Sequence, residues 1–185
     1  MKANRLISGM VDKGAEFLTV DKRAICVHDG LILSFSAVPD RLKDILRADM
    51  KSQPKKERAI EAMVGLDQEL KLEKYTMCQF GGMDGTPDID EQGRLSYPEF
   101  VPCAHRGACK QEGIGCSQIT VRPGVELSKS EVAVLRKIDL EFEEIATVLF
   151  LSVKTVKTHF QNIRRKTGKK SKTELAIWAV LRGII

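Results

Sequence analysis

The pattern of apolar and polar positions changes character three times along the chain. Between Phe17 and Phe35, Ala24-Ile25-Cys26-Val27 and Leu31-Ile32-Leu33 flank His28-Asp29-Gly30. An Asp-Gly pair between apolar runs is a strong hairpin signal, so this stretch predicts strands. Cys26 then falls in a strand as a core residue, and His28, beside the turn, is expected to be exposed. Pro39 opens a predicted helix over Asp40 to Met50, with Leu42, Ile45 and Leu46 at helical spacing. A second helix is predicted after Pro54, with Ile60, Met63, Val64, Leu66 and Leu70 on one side and Gly65 as its weak point.

From Cys78 to Pro123 the periodicity disappears. The stretch is rich in glycine and proline, poor in aliphatic residues, and carries four of the five cysteines. A loop of this length needs something to hold it. The acidic run Asp84, Asp88, Asp90, Glu91 lacks the regular spacing of a calcium loop and reads as solvated. Pro123-Gly124 reads as a short linker.

From Leu127 onward the pattern is helical. Ser128 and Glu131 have capping-box spacing ahead of Val132, Leu135 and Ile138. A second helix is predicted over Phe142 to Leu149, with Ile145, Ala146 and Leu149 inward. Ser152 is a good N-cap for a third, in which Val153, Val156, Phe160 and Ile163 step along one face and Gly168 marks the end. Ser171 and Glu174 repeat the capping-box spacing before a last helix through Leu181.

Composition narrows the classes. The chain has 185 residues, 43% apolar and 30% charged, which suits one globular domain or two small ones. No apolar run approaches the ~18 residues that span a bilayer. Met1 to Met10 lacks the apolar core and small-residue cleavage site of a secretion signal, which predicts a cytoplasmic protein without membrane attachment. An odd number of cysteines in such a setting favours ligands over disulfides.

The net charge of +5 is unevenly spread. Residues 119–185 carry 13 Lys and Arg against 7 Asp and Glu, and Ser152–Lys172 holds eight basic residues and no acid. So focused an excess suggests an acidic partner, nucleic acid first. On the third C-terminal helix the apolar face leaves Lys154, Lys157, Thr158, Gln161 and Arg165 on the opposite side. Donors near the helix start can reach base edges, and basic groups further along can bind phosphates. A tight Phe150-Leu151 turn separates this helix from a short preceding one, which is the layout of a helix-turn-helix. The competing readings are a solvated basic face and a membrane-surface helix.

These residues carry a resemblance. Leu127-Ser128, Glu131, Val134-Leu135, Glu144-Ile145-Ala146, Leu149, Leu151-Ser152, Lys154-Thr155-Val156-Lys157, His159, Asn162-Ile163 and Lys166 resemble the C-terminal domain of LuxR/NarL-type transcriptional regulators. The resemblance covers about the last third of the chain. It implies a four-helix domain whose third helix enters the major groove of double-stranded DNA. It makes Lys154, Thr155, Val156, Lys157, His159 and Arg165 contact candidates, with Val156 directed at a thymine methyl. It also implies a homodimer through the last helix, whose Leu175, Ile177, Trp178, Val180 and Leu181 are apolar on more than one side; burial of that helix against the N-terminal region is the competing reading. One feature departs from the family. Asp139-Leu140-Glu141 stands where a glycine usually separates the first two helices, so an altered turn is expected there. Sigma-factor C-terminal domains share a similar helix-turn-helix, which leaves a sigma-like role as an alternative.

Cys78, Cys103, Cys109 and Cys116 are separated by 24, 5 and 6 residues, with His105 inside the set. Four soft ligands in a glycine-rich loop suit Zn²⁺, with an iron–sulfur cluster as the alternative metal. Four separate reduced thiols are the metal-free alternative. An iron–sulfur centre would make the chain a redox or gas sensor. As a nucleophile, a cysteine would need a base, and within the cysteine-rich segment Cys103 with His105 is the neighbouring pair. No third orienting group accompanies it, so the chain reads as a non-enzyme. Nor do residues 1–77 show a receiver's repeating strand–helix pattern or an aromatic-rich lactone pocket.

The expected architecture is therefore α+β. Residues 1–118 form an N-terminal region of hairpin and helices with a Cys-rich segment at 78–118. Residues 119–126 form a linker, and 127–185 an all-α helix-turn-helix domain.

Overall fold

The computed structural model describes residues 7–83, 86–122 and 124–185. The chain divides into two compact units. One comprises the chain up to Val101 together with Ile114–Ser117. The other comprises Pro102–Gly113 and Gln118–Ile185.

In the first unit, β1 (Ala15–Val20), β2 (Arg23–His28) and β3 (Leu31–Ser34) form an antiparallel meander in that order. Both connections are two-residue turns with left-handed residues, Asp21-Lys22 (φ 47° and 64°) and Asp29-Gly30 (φ 54° and 76°). Turns of this hand match the twist of the strands they join. The Asp29-Gly30 hairpin is the one expected from sequence. After a short 3-10 turn come α1 (Asp40–Ser52), α2 (Pro54–Val64) and α3 (Gln68–Gln79). Phe17, Cys26, Leu42, Leu46, Ile60 and Leu72 close the core between sheet and helices. Cys26 is fully buried, as expected, and burial with Asp88 and Glu16 nearby pushes its thiol up to about 12.

Several expectations are corrected here. Gly65 does not weaken a long second helix; it ends it at φ 82°. Met63, Leu66 and Leu70 are exposed rather than buried beside Ile60. A third helix follows, whose start Asp67 caps through its carboxylate on the Leu70 amide (2.8 Å). It escapes the sequence pattern because it buries polar residues. Lys71 bonds Glu57 (3.1 Å) and Glu61 (3.2 Å) on α2, and Glu73 accepts from Arg23 (2.8 Å). His28 is buried, not exposed. Its Nδ1 lies 2.8 Å from the Gly14 carbonyl and its Nε2 2.7 Å from the Arg41 guanidinium.

Beyond α3 the acidic run is only partly a solvated loop. Asp84 lies outside the described residues. Asp88 is buried and accepts the Phe17 amide (2.7 Å). Ile89 exchanges backbone hydrogen bonds with Ala15 (2.8 and 3.1 Å) and is sunk in the core. Asp90 takes the Arg94 amide (2.9 Å) and guanidinium (2.6 Å), which hold its carboxyl below the usual range.

The second unit begins where a linker was expected. β4 (Ile119–Arg122) and β5 (Val125–Leu127) form an antiparallel hairpin with Ile119 opposite Leu127, both buried. Pro123 of the expected Pro-Gly linker lies outside the described residues. Four helices follow: α4 (Lys129–Leu135), α5 (Phe142–Leu149), α6 (Val153–Thr167) and α7 (Lys172–Leu181). Pro102–Gly113, assigned from sequence to the N-terminal region, packs within this unit. Arg136 donates to the Cys103 carbonyl (2.8 Å), and a side chain at Gly107 would strike the Ala133 backbone at 2.8 Å. That strap therefore lies directly on α4.

Candidate nucleic-acid interface

The candidate interface is α6, and its orientation is set by what it buries. Val156 and Ile163 are both 0% exposed, with Ile145 and Ala146 of α5 also in the core. Two residues seven apart lie on one side of a helix. The other side is thereby turned outward: Lys154, Lys157, Thr158, Gln161, Arg164 and Arg165 are all exposed. Thr155 and His159 are half-buried.

Local chemistry defines both ends of α6. Ser152 caps the start, its Oγ accepting the Thr155 amide at 3.0 Å. Gly168, left-handed at φ 73°, ends it, and Arg164, Arg165 and Lys166 occupy the last turn. Positive side chains there offset the negative end of the helix dipole. At the start, free amides and Lys154 favour an incoming phosphate or base acceptor.

The side chains of α6 are held to different degrees. Thr158 donates its hydroxyl to the Lys154 carbonyl (3.0 Å), leaving its oxygen lone pairs outward. Lys157 rests 5.9 Å over the Phe142 ring, which itself packs edge-on against Phe160 at 5.1 Å. Arg165 bonds Asn162 (3.1 Å). Lys166 faces inward and ties α6 to α4. Its Nζ lies 2.6 Å from Glu131 Oε2 and 2.8 Å from the Glu126 carbonyl. The same carboxylate oxygen accepts the Ser128 amide (2.8 Å), so one buried Glu131 completes the cap of α4 and anchors α6.

The turn before α6 has an unusual residue. The Leu151 amide bonds the Ala146 carbonyl (2.9 Å) and the Phe150 amide bonds Thr147 (3.3 Å). This is the double closure of a Schellman motif, whose left-handed position favours glycine. Here it is Phe150, at φ 54° and 95% exposed. The first two helices are joined differently. Asp139-Leu140-Glu141 contains no left-handed residue, and successive tight turns (Lys137 to Val134, Ile138 to Leu135, Leu140 to Lys137) carry the chain across. That is the physical form of the altered turn expected where the glycine is missing.

One expected contact is corrected. Val156 is fully enclosed and has no surface to offer a thymine methyl. Two basic residues outside the expected set join the surface instead. Arg164 and Lys169 line an open cleft of about 300 Å³ with Gln161, Arg165 and Gly168. Both belong to the acid-free run, which was the available signal.

The cysteines are distributed over the two units. Cys78 and Cys116 belong to the first, Cys103 and Cys109 to the second. Among the described residues no group of three or more His, Cys, Asp and Glu is gathered to hold a metal ion. Cys103 and His105 meet through the backbone, the His105 amide lying 3.4 Å from Cys103 Sγ.

Residues 125–179 match the family model GerE, bacterial regulatory proteins of the luxR family. No curated protein and no solved structure matches the chain. Among the described residues no helix is long and apolar enough to cross a membrane.

Phe150→Gly is expected to stabilise the protein by about 0.5–1 kcal/mol, because a side chain in the left-handed region costs more than glycine's added chain entropy. The exposed ring gives up little packing. Chemical denaturation of both forms checks the sign; a loss of stability would show that the ring is held by contacts in the folded state.

Proposed function

With a helix-turn-helix domain of the LuxR family at its C-terminus, we propose that the chain is a transcriptional regulator that reads double-stranded DNA through α6. The observation that carries this reading is the fixed rotation of α6: Val156 and Ile163 are buried, and an uninterrupted basic and hydroxylic face is turned outward. The mechanism is binding without chemistry. Lys154, Thr155, Lys157, Thr158 and Gln161, nearest the helix start, address base edges and flanking phosphates. Arg164, Arg165 and Lys169 add backbone contacts further along. Each phosphate neutralised releases counterions from the duplex, so affinity falls as salt rises. His159 is half-buried and is assigned a packing or phosphate role.

The active form is proposed to be a homodimer through α7. Leu175 and Ala179 face the core, while Ile177, Val180 and Leu181 are exposed. Trp178 is half-buried, with Arg182 5.3 Å over its ring. Two recognition helices would then meet half-sites about one helical turn apart.

A second, separable reading concerns the cysteines. Their spacing in the sequence, four soft ligands in a glycine-rich stretch, supports a zinc or iron–sulfur centre on Cys78, Cys103, Cys109 and Cys116. The DNA reading takes no step through it. Metal analysis of protein purified without oxygen is expected to find about one equivalent of zinc, lost in Cys109→Ser. A brown protein with iron and sulfide would identify the cluster form, and metal-free protein would remove the centre.

Lys157→Ala is expected to weaken binding by about 1–3 kcal/mol if the side chain reads a base. If it touches only phosphate, the loss is uniform over sequences and the salt slope falls by about one. Titrations of both forms across a salt series distinguish the two. Unchanged affinity and slope would remove Lys157 from the interface.

A further inference from the structure

Among the described residues, those with a left-handed backbone that are not glycine are Asp21, Lys22, Asp29 and Phe150. The first three are polar residues of two-residue hairpin turns, which are built on that conformation. Phe150 is the exception. It holds a large apolar side chain where the backbone disfavours one, and the ring is 95% exposed, so little packing compensates. Strain held by the surrounding backbone, with a side chain that the fold itself does not use, marks a functional position.

What the ring can meet follows from where it stands. The Leu151 amide on the Ala146 carbonyl (2.9 Å) and the Phe150 amide on the Thr147 carbonyl (3.3 Å) fix the backbone on both sides of it. Two residues on, Ser152 caps α6 through the Thr155 amide (3.0 Å). The ring therefore leaves the chain directly ahead of the helix end that carries Lys154 and Lys157. Residues 145–173 contain no Asp or Glu, so the chain around the ring does not repel phosphates. Toward α6 the exposed surface continues as Ser152, Lys154, Lys157 and Thr158. A hydroxylic and basic surround suits a duplex better than the apolar core of a protein interface.

A phenyl ring has no hydrogen bond to offer a base edge. The apolar group that base edges present in the major groove is the thymine 5-methyl, and apolar side chains read it. Val156, to which the resemblance gives that contact, is enclosed. From this we infer that Phe150 packs on a thymine methyl of the DNA site, so that the turn before α6 sets part of the sequence preference. The left-handed backbone is what carries the ring out of the core and past the start of α6. This inference rests on the proposed reading of DNA through α6.

The test uses a duplex selected from a random-sequence pool by the full wild-type chain, remade with deoxyuridine in place of each thymine in turn. Each replacement removes one methyl group and nothing else. Wild type is expected to lose about fourfold in affinity at one thymine of a half-site, the worth of one buried methyl group. Phe150→Gly should bind the thymine and uracil forms equally and the parent duplex about fivefold more weakly, while melting no lower than wild type. Weaker binding by a protein at least as stable cannot come from unfolding. Phe150→Asn, whose side chain also tolerates the left-handed region, should match it and so separates loss of the ring from glycine's added freedom. A wild type indifferent to every replacement, or a uracil penalty that Phe150→Gly retains, would overturn this inference alone. Unchanged DNA binding by Phe150→Gly would do the same and assign the ring to a protein partner. A wild type that binds no duplex at low salt would overturn it together with the DNA reading.

Discussion

Burial of Val156 and Ile163 is the constraint on which the functional surface depends. An amphipathic helix has one free choice, its rotation about its own axis, and two fully enclosed aliphatic residues remove it. The eight basic residues of Ser152–Lys172 acquire a direction only because of that choice. Lys166 shows the exception that secures the rest. It is the basic residue of α6 turned toward α4, where Glu131 neutralises it. A buried charge needs such a partner, and Glu131 also caps α4, so the stability of α4 and the placement of α6 share one carboxylate.

The second unit is more than four helices. The β4–β5 hairpin puts Ile119 and Leu127 into its core, and Lys166 reaches the backbone of β5 at Glu126. The strap at Pro102–Gly113 lies against α4 through Gly107 and Arg136. Two cysteines and His105 therefore sit on the scaffold of the helix-turn-helix itself, whatever their chemistry.

Legibility in the sequence followed the physics of each element. The C-terminal helices were readable because caps and periodicity agree. Ser128, Ser152 and Ser171 all cap helices, and apolar residues recur at three and four. The Asp29-Gly30 hairpin was readable from its turn chemistry. Helix α3 was not, because its buried face contains Lys71, Glu73 and Gln79, which bond partners on other elements, and Thr76, which bonds the Leu72 carbonyl of its own helix. The β1–β2 turn at Asp21-Lys22 carries no glycine to announce it. The β4–β5 hairpin hid behind Pro123-Gly124, a pair that serves linkers and turns alike. Asp88, His28 and Ile89 lie in or near segments that look solvated, and only distant partners draw them inside. Within the candidate site, the outward residues of α6 are readable, and the apolar spacing that Val156 shares with Phe160 and Ile163 already places it in the core, against the base contact that the resemblance implies.

The most direct test of the central claim is to watch the amides of the full chain by ¹⁵N NMR while a duplex carrying its selected binding site is added at low salt. The account predicts that the largest shifts fall on α6 from Lys154 to Arg165, with small changes in β1–β3. Shifts concentrated away from α6, or no binding to any selected duplex at low salt, would contradict it.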